Sequence, residues 1–358
     1  MTNNDKNILW LDLFDFLTYN KKIKLLSQIS KEEDIRQKFL NIPQFQEILS
    51  NEEYSKMALC LDDAYLNLKL KKYNEDNIIP ITFNNVNYPY MLKEIETPPL
   101  CLYCKGNIQL LNSFAIGVVG TRKPTEYGIV VTKQYCKELA KADVTIISGL
   151  AVGIDTIAHN TAIEEKGKTI AVLAGGFYKI YPAINTNLAK RITENNLLIS
   201  EYAPETLPQT YYFPIRNRII AGLSKGILVA EMGEKSGAMH TINYALDFNR
   251  DIFVVPGRIN SPMSKGTNNL IKNLQGCITT DPADILENYQ LTLKSNHVTV
   301  QLDLSSQLIL EFIKTEKKTF QEIFDYVKLP ISELNTLLMT LEMEGLIMKF
   351  ANNSYIAI

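Results

Sequence analysis

Several absences narrow what this chain can be. No apolar run in its 358 residues approaches the roughly 20 needed to span a bilayer. The opening Met1-Thr2-Asn3-Asn4-Asp5 has no basic stretch leading into a signal-type apolar segment. A cytoplasmic protein with no membrane association is expected. The five cysteines are scattered, and the single CxxC pair, Cys101 and Cys104, has no second pair to complete a zinc ribbon. That pair falls in the apolar run Leu100-Cys101-Leu102-Tyr103-Cys104, which reads as a strand with core thiols. His159, His240 and His297 assemble no metal-ligand set. Asp155 and His159 lie four apart on one helix face, but no Ser or Cys nucleophile follows in a GxSxG elbow, so a structural hydrogen bond is the expected role. There is no GxxxxGK[ST] loop and no GxGxxG after the first strand of the alternating region, and the next strand ends in Ser148-Gly149 rather than an acidic ribose ligand. P-loop ATP hydrolysis and a nicotinamide cofactor are therefore unsupported, and no cofactor is expected.

The charge balance is close to neutral. The net charge of −2 argues against a wholly basic nucleic-acid protein. Its distribution is uneven: residues 111–280 hold 18 Lys and Arg against 13 Asp and Glu, whereas residues 281–358 hold 6 against 11. A chain of this length is expected to divide into two or three domains.

No glycine occurs before Gly106, which suits a compact helical bundle, and residues 7–72 carry apolar positions at helical spacing (Ile8, Leu9, Leu11, Phe14, Leu17). After a polar break at 74–77, Ile79 to Phe83 restarts as strand-like sequence. From 114 the alternation is regular. Strands are predicted at 114–119, 144–147, 169–173, 197–200, 226–230 and 251–255. Helices are predicted near 127–141, 153–166, 185–195, 215–223 and 237–248. Short, continuous, β-branched strands alternating with helices indicate a doubly wound parallel α/β sheet. Residues 288–302 read as a polar linker. Residues 305–358 read as three helices and a terminal hairpin turning at Asn352-Asn353, with a capping box at Thr319-Phe320-Gln321-Glu322.

In a doubly wound sheet, ligands bind outside the carboxyl ends of the strands. Several strand-to-helix turns there carry phosphate-grade chemistry. Gly120-Thr121-Arg122 combines a tight turn, a hydroxyl, free backbone N–H groups and a guanidinium. Phe213-Pro214-Ile215-Arg216-Asn217-Arg218 places an aromatic ring beside two arginines and an amide, although one of those arginines could instead form a buried ion pair with Glu201 or Glu231. Lys235-Ser236-Gly237 and Lys265-Gly266 repeat the theme, and Ser148, Gly149 and Gly176 close neighbouring strands. Several such turns on one sheet edge make a groove. A groove with arginines and aromatics but no base-reading helix fits single-stranded nucleic acid bound without strong sequence preference.

The blocks GTRKPTEYG, SGLAVGIDTIAH, FPIRNRIIAGLS, EKSGAMHTINYAL, VPGRI and SKGTNNLI, in order from about Ile81 to Leu286, resemble the DNA-processing protein A family, also called DprA or Smf. The resemblance implies an extended Rossmann-like core that binds and protects single-stranded DNA during natural transformation and recombination. It further implies loading of the RecA recombinase, a homodimer through the Rossmann domain and no enzymatic activity. The implied architecture is an N-terminal helical domain of sterile-alpha-motif (SAM-like) type over 1–75, the Rossmann-like domain over 79–290 and a winged-helix domain over 303–358. Carried over by motif, Gly120, Thr121 and Arg122 would take a backbone phosphate, Phe213, Arg216, Asn217 and Arg218 would line the strand's path, and Lys235, Ser236, Gly237 and Lys265 would flank it. Ser148, Gly149 and Gly176 join this nucleic-acid-binding set. The chain departs from the family pattern at Val152, often arginine there, and at Met239 and His240, usually aliphatic.

Two other readings compete. A nucleotide-processing Rossmann enzyme of the phosphoribohydrolase type carries a PGGxGTxxE block, but the corresponding region here, Glu231 to Ala245, has SGAMHTINYA with no such glutamate after Gly237. A sequence-specific regulator would want a basic last helix, but Ser332 to Glu344 holds Glu333, Glu342 and Glu344 and no Lys or Arg. The acidic C-terminal unit therefore reads as a protein-contact or accessory module.

Overall fold

The computed structural model describes residues 2–291, 303–350 and 353–357. They fall into two compact units, Met1–Lys294 and Ser295–Ile358. Most of the predicted 288–302 linker, with His297, lies outside the described residues.

The first unit is organised by a nine-stranded sheet. Its strands are β1 (Ile79–Thr82), β2 (Cys101–Gly106), β3 (Ala115–Val119), β4 (Thr145–Ser148), β5 (Thr169–Val172), β6 (Leu197–Ser200), β7 (Gly226–Val229), β8 (Asp251–Val254) and β9 (Cys277–Ile278). The order is β1-β2-β6-β5-β4-β3-β7-β8-β9. All neighbours from β6 through β9 pair in parallel, while β1 and β2 extend the β6 edge antiparallel, an extension the alternation did not reveal. The central strands are buried on both faces, which explains their unbroken apolar sequence. Ile116 and Val118 of β3 face the helices Glu126–Lys141 and Ile154–Glu164. Ala115 and Val119 face the opposite layer, built from Tyr212–Leu223 and Ala238–Asp247. The chain winds one way from β3 through β4 and β5 to β6, then crosses back to lay β7 on the other side of β3. The carboxyl ends of β3 and β7 thus flank the topological switch point, where such sheets open a crevice.

Each predicted helix of this domain forms within a few residues of its expected place. The largest difference is the crossover helix, expected near 215, which runs Tyr212–Leu223 with Pro214 in its first turn, where no intrahelical N–H is needed.

Six helices between Asn3 and Glu75 make the N-terminal bundle, five of them capped by the side chains of Thr2, Thr18, Asp34, Ser50 and Asp62. The domain boundary expected between 75 and 79 falls inside one unit. The bundle core of Trp10, Phe39, Phe45 and Tyr73 continues into Leu100, Cys101 and Tyr103 of the sheet edge. Tyr73 and Tyr103 meet edge to face at 5.7 Å between ring centroids. Polar contacts reinforce this continuity: the Tyr73 hydroxyl donates to Glu205 at 2.9 Å, and Lys69 pairs with the same carboxylate.

The second unit contains the helices Leu304–Phe312, Phe320–Val327 and Ile331–Met343. Its strands Lys318–Thr319, Ser354–Ala357 and Ile347–Lys349 pair antiparallel in that spatial order. The capping box forms as expected, with Glu322 N donating to Thr319 Oγ1 at 3.3 Å and Thr319 N to Glu322 Oε2 at 2.7 Å. The short strand at 318–319 was not foreseen, because its residues read only as a helix cap. Asn352 of the expected turn lies outside the described residues. Among the described residues, no helix is long and apolar enough to cross a membrane.

Candidate nucleic-acid interface

At the switch point lies an open cleft of about 690 Å³. One wall begins where β3 ends. The Thr121 amide donates to the Glu231 carbonyl at 2.8 Å, tying the turn after β3 to the end of β7. The Thr121 hydroxyl accepts from Lys123 N at 3.1 Å, which curls the chain so that Arg122 and Lys123 stand exposed on the rim. Gly120 is required here, since a Cβ would lie 2.7 Å from the Glu231 carbonyl oxygen and 2.6 Å from Ile154.

The first turn of Tyr212–Leu223 supplies the second element. Phe213 is half-buried, and the Arg122 guanidinium carbon lies 5.7 Å from its ring centroid. Tyr181, from the loop after β5, meets the same ring edge-on at 5.4 Å between centroids. Opposite, Lys235-Ser236-Gly237 leads into Ala238–Asp247 and lines the cleft with the helix's first N–H groups, of which Ala238 N donates to Ser236 Oγ at 3.3 Å. Nine expected residues therefore share one cleft: Gly120, Thr121, Arg122, Phe213, Arg216, Asn217, Lys235, Ser236 and Gly237.

A family model described as DNA recombination-mediator protein A matches residues 80–290. The chain belongs to that family. It is 45% identical over 204 residues to DNA processing protein DprA of Bacillus subtilis, which covers 57% of this chain and 69% of the relative. The X-ray structure of DprA from Streptococcus pneumoniae matches with a TM-score of 0.69 and 32% identity, covering 80% of this chain and 98% of that one. A structure of DNA processing protein A from Helicobacter pylori, described for its single-stranded DNA binding mode, matches with a TM-score of 0.54 and 31% identity over 59% of this chain and 95% of that one.

Within this member of the DprA family, five of the expected contact residues do not line the main cleft. Arg218 is buried, and its Nη2 donates to Glu201 Oε1 at 2.6 Å, the ion pair that the sequence left open. Ser148 is fully buried, with its hydroxyl donating to the Val118 carbonyl at 2.7 Å. Gly149 lies beneath the floor, where its carbonyl accepts from Arg216 Nη1 at 2.7 Å. Gly176 is buried, and a Cβ there would run into the carbonyl oxygens of Ala203 and Pro204 at 2.5 and 2.2 Å; it borders a small adjoining pocket that shares Tyr181 and Phe213 with the cleft. Lys265 is exposed at the start of Lys265–Lys272, beyond the lining residues. Glu231 is taken by neither arginine. Its carboxylate accepts from Thr125 N at 2.8 Å and Thr125 Oγ1 at 2.5 Å.

The Asp155–His159 pair also resolves as structure. Asp155 accepts from the amides of Gly149 at 3.1 Å and Ala151 at 3.2 Å, and His159 Nδ1 shares a hydrogen with Thr169 Oγ1 at 2.7 Å. Burial, with Arg216 nearby, pulls the His159 pKa down to about 3, so this ring stays neutral at physiological pH. Residues not expected at the site from the sequence also line the cleft, among them Lys123, Tyr181, Thr210, Met263 and His240. An exposed aromatic just past the carboxyl end of a parallel strand was the available signal for Tyr181.

Proposed function

We propose that this cleft binds single-stranded DNA without strong sequence preference, and that the protein acts as a non-catalytic recombination mediator. The carrying observation is the exposed Arg122 guanidinium over the Phe213 ring, with Lys123 beside it and Lys235 on the opposite wall. Cations grip phosphates while the rings of Phe213 and Tyr181 give sequence-tolerant faces for unstacked bases. The single-stranded DNA binding mode described for the Helicobacter pylori relative supports this reading. The chemistry of the lining points away from the phosphoribohydrolase alternative. Among the described lining residues the one carboxylate is Asp155, already held by two backbone amides.

The wider role follows from family membership and is likewise a proposal. The protein protects incoming strands and loads RecA recombinase onto them during DNA uptake in the cytoplasm, working as a homodimer through its Rossmann domain. The bundle at 3–75 serves as the SAM-like module and the 303–358 unit as the winged helix, with Lys265 flanking the strand's path. The contact set at the surface is Gly120, Thr121, Arg122, Phe213, Asn217, Lys235, Ser236 and Gly237.

Fluorescence anisotropy with a labelled dT oligomer and a labelled duplex, at two salt concentrations, tests the core of this. Tight, salt-sensitive, single-strand-preferring binding that Arg122→Ala weakens is the expected result. A folded protein that binds neither form overturns it.

A further inference from the structure

Arg216 was expected on the strand's path, but its surroundings are those of a buried tie. It is 4% exposed. Its Nη1 donates to the Gly149 carbonyl at 2.7 Å, just past β4, and also to the Val172 carbonyl at the end of β5. Gly149 extends the arrangement further, because its own N–H donates to Asp155 at 3.1 Å. The other edge of the guanidinium is engaged too: Nε donates to Asn217 Oδ1 at 3.1 Å. With its oxygen occupied, Asn217 has its NH2 group to offer the cleft.

The helix geometry makes this tie consequential. Phe213 and Asn217 are four residues apart, so they share one face of Tyr212–Leu223, and Arg216 roots that face on two strand ends. Gly149 is what admits the guanidinium. A Cβ there would lie 2.4 Å from Nη2, 2.6 Å from Cζ and 2.7 Å from Nη1.

We infer that Arg216 is a positioning residue of the strand-binding cleft rather than a phosphate ligand: it seats the first turn of Tyr212–Leu223 against the ends of β4 and β5 and fixes Asn217 as a hydrogen-bond donor. The inference rests on the single-strand reading above. A phosphate ligand needs charge, which lysine also supplies, whereas a three-acceptor tie needs the planar fork, which lysine lacks.

The test compares wild type, Arg122→Lys, Arg216→Lys, Gly149→Ala and Asn217→Leu in the full chain. Affinity for a labelled dT oligomer is measured across a salt series, base stacking by fluorescence of a 2-aminopurine-containing oligomer, and folding by thermal melt. Arg122→Lys, which keeps the charge at an exposed position, is expected to lose less affinity than Arg216→Lys. Arg216→Lys, with its charge intact, is expected to lose on the order of tenfold or more, together with the 2-aminopurine signal, while the slope of log K against log salt holds at its wild-type value. Gly149→Ala, which touches no charge, and Asn217→Leu should reproduce that pattern, and they decide the matter if Arg216→Lys fails to fold. Wild-type-like binding by Arg216→Lys and Gly149→Ala overturns the inference, as does a lowered melting temperature with affinity and stacking signal intact, which marks a merely structural tie. In either case wild-type binding keeps the single-strand reading standing. No binding by folded wild type removes both.

Discussion

The Arg122 guanidinium sits 5.7 Å from the centre of the Phe213 ring. Arg122 follows β3, and Phe213 opens the helix that carries the chain from β6 back to β7. They meet because β7 returns to the far side of β3, which brings the crossover helix over the end of β3. In the proposed function the contact would hold a charge for phosphate and a stacking surface for bases side by side before any strand arrives, which would lower the ordering cost of binding. Tyr181 stiffens the arrangement from the ring's edge.

The two partners should fail differently. Loss of one phosphate contact lowers the salt slope for single-stranded DNA by about 0.7, so Arg122→Ala should bind more weakly at low salt and converge on wild type as salt rises. Phe213→Leu removes a stacking face worth about 1–3 kcal/mol per base and should weaken binding equally at every salt concentration. Anisotropy titrations over a salt series separate the two, and parallel slopes for Arg122→Ala and wild type would remove Arg122 from the phosphate contacts.

Gly153 carries a second prediction. Its φ of +85° lies where side chains rarely go, and a Cβ would stand 2.4 Å from the Thr121 carbonyl oxygen and 2.8 Å from the Arg122 Cα. Gly153→Ala should therefore cost about 1–3 kcal/mol of stability from backbone strain and also push the Thr121-Arg122 turn out of place. We expect a lower melting temperature together with weakened dT binding. Unchanged affinity in a folded Gly153→Ala protein would show that the turn tolerates the shift.

Much of this was legible in the sequence for a physical reason. Strands buried on both faces must be continuously apolar and short, so β3 to β8 announced themselves, and glycine-bearing turns marked their carboxyl ends. The bundle's attachment was not legible, because Leu100, Cys101 and Tyr103 look the same whether they pack on a helix of their own layer or on the N-terminal bundle. Arg218 was legible in part. A helix turns about 100° per residue, so Arg216 and Arg218 point roughly 200° apart, and both cannot face a cleft that Phe213 and Asn217 line. That Arg218 turned away into an ion pair depended on where Glu201 lay, a contact set by tertiary structure alone.

Stability should fall on mild acidification, through His159. Its folded pKa of about 3 is far below the ordinary value near 6.5, so below pH 6.5 the unfolded chain binds a proton that the native state refuses. Stability is therefore greatest above pH 6.5 and declines as pH drops toward 3, by about 2 kcal/mol at pH 5 from this group. Urea melts between pH 7 and pH 5 on wild type and His159→Gln give the measurement. The variant should show a flatter profile over that window even if it is less stable throughout, and an equally steep profile would assign the proton uptake elsewhere.

Arg218 and Glu201 supply the last contrast, because the family motif makes Arg218 look like a DNA ligand while its pair is 2.6 Å long and largely withdrawn from solvent. Removing one partner of a buried pair strands the other charge, at a typical cost of about 3–5 kcal/mol, whereas replacing both with apolar groups of similar volume is often close to neutral. Arg218→Met should thus lower the melting temperature substantially, and adding Glu201→Leu should recover much of the loss. Arg218 shares its helix with Phe213 but faces away from the cleft, so the double variant should retain dT binding with an unchanged salt slope. A slope reduced by about 0.7 in the well-folded double variant would instead return Arg218 to the phosphate contacts, and would require the Glu201 pair to open when the strand binds.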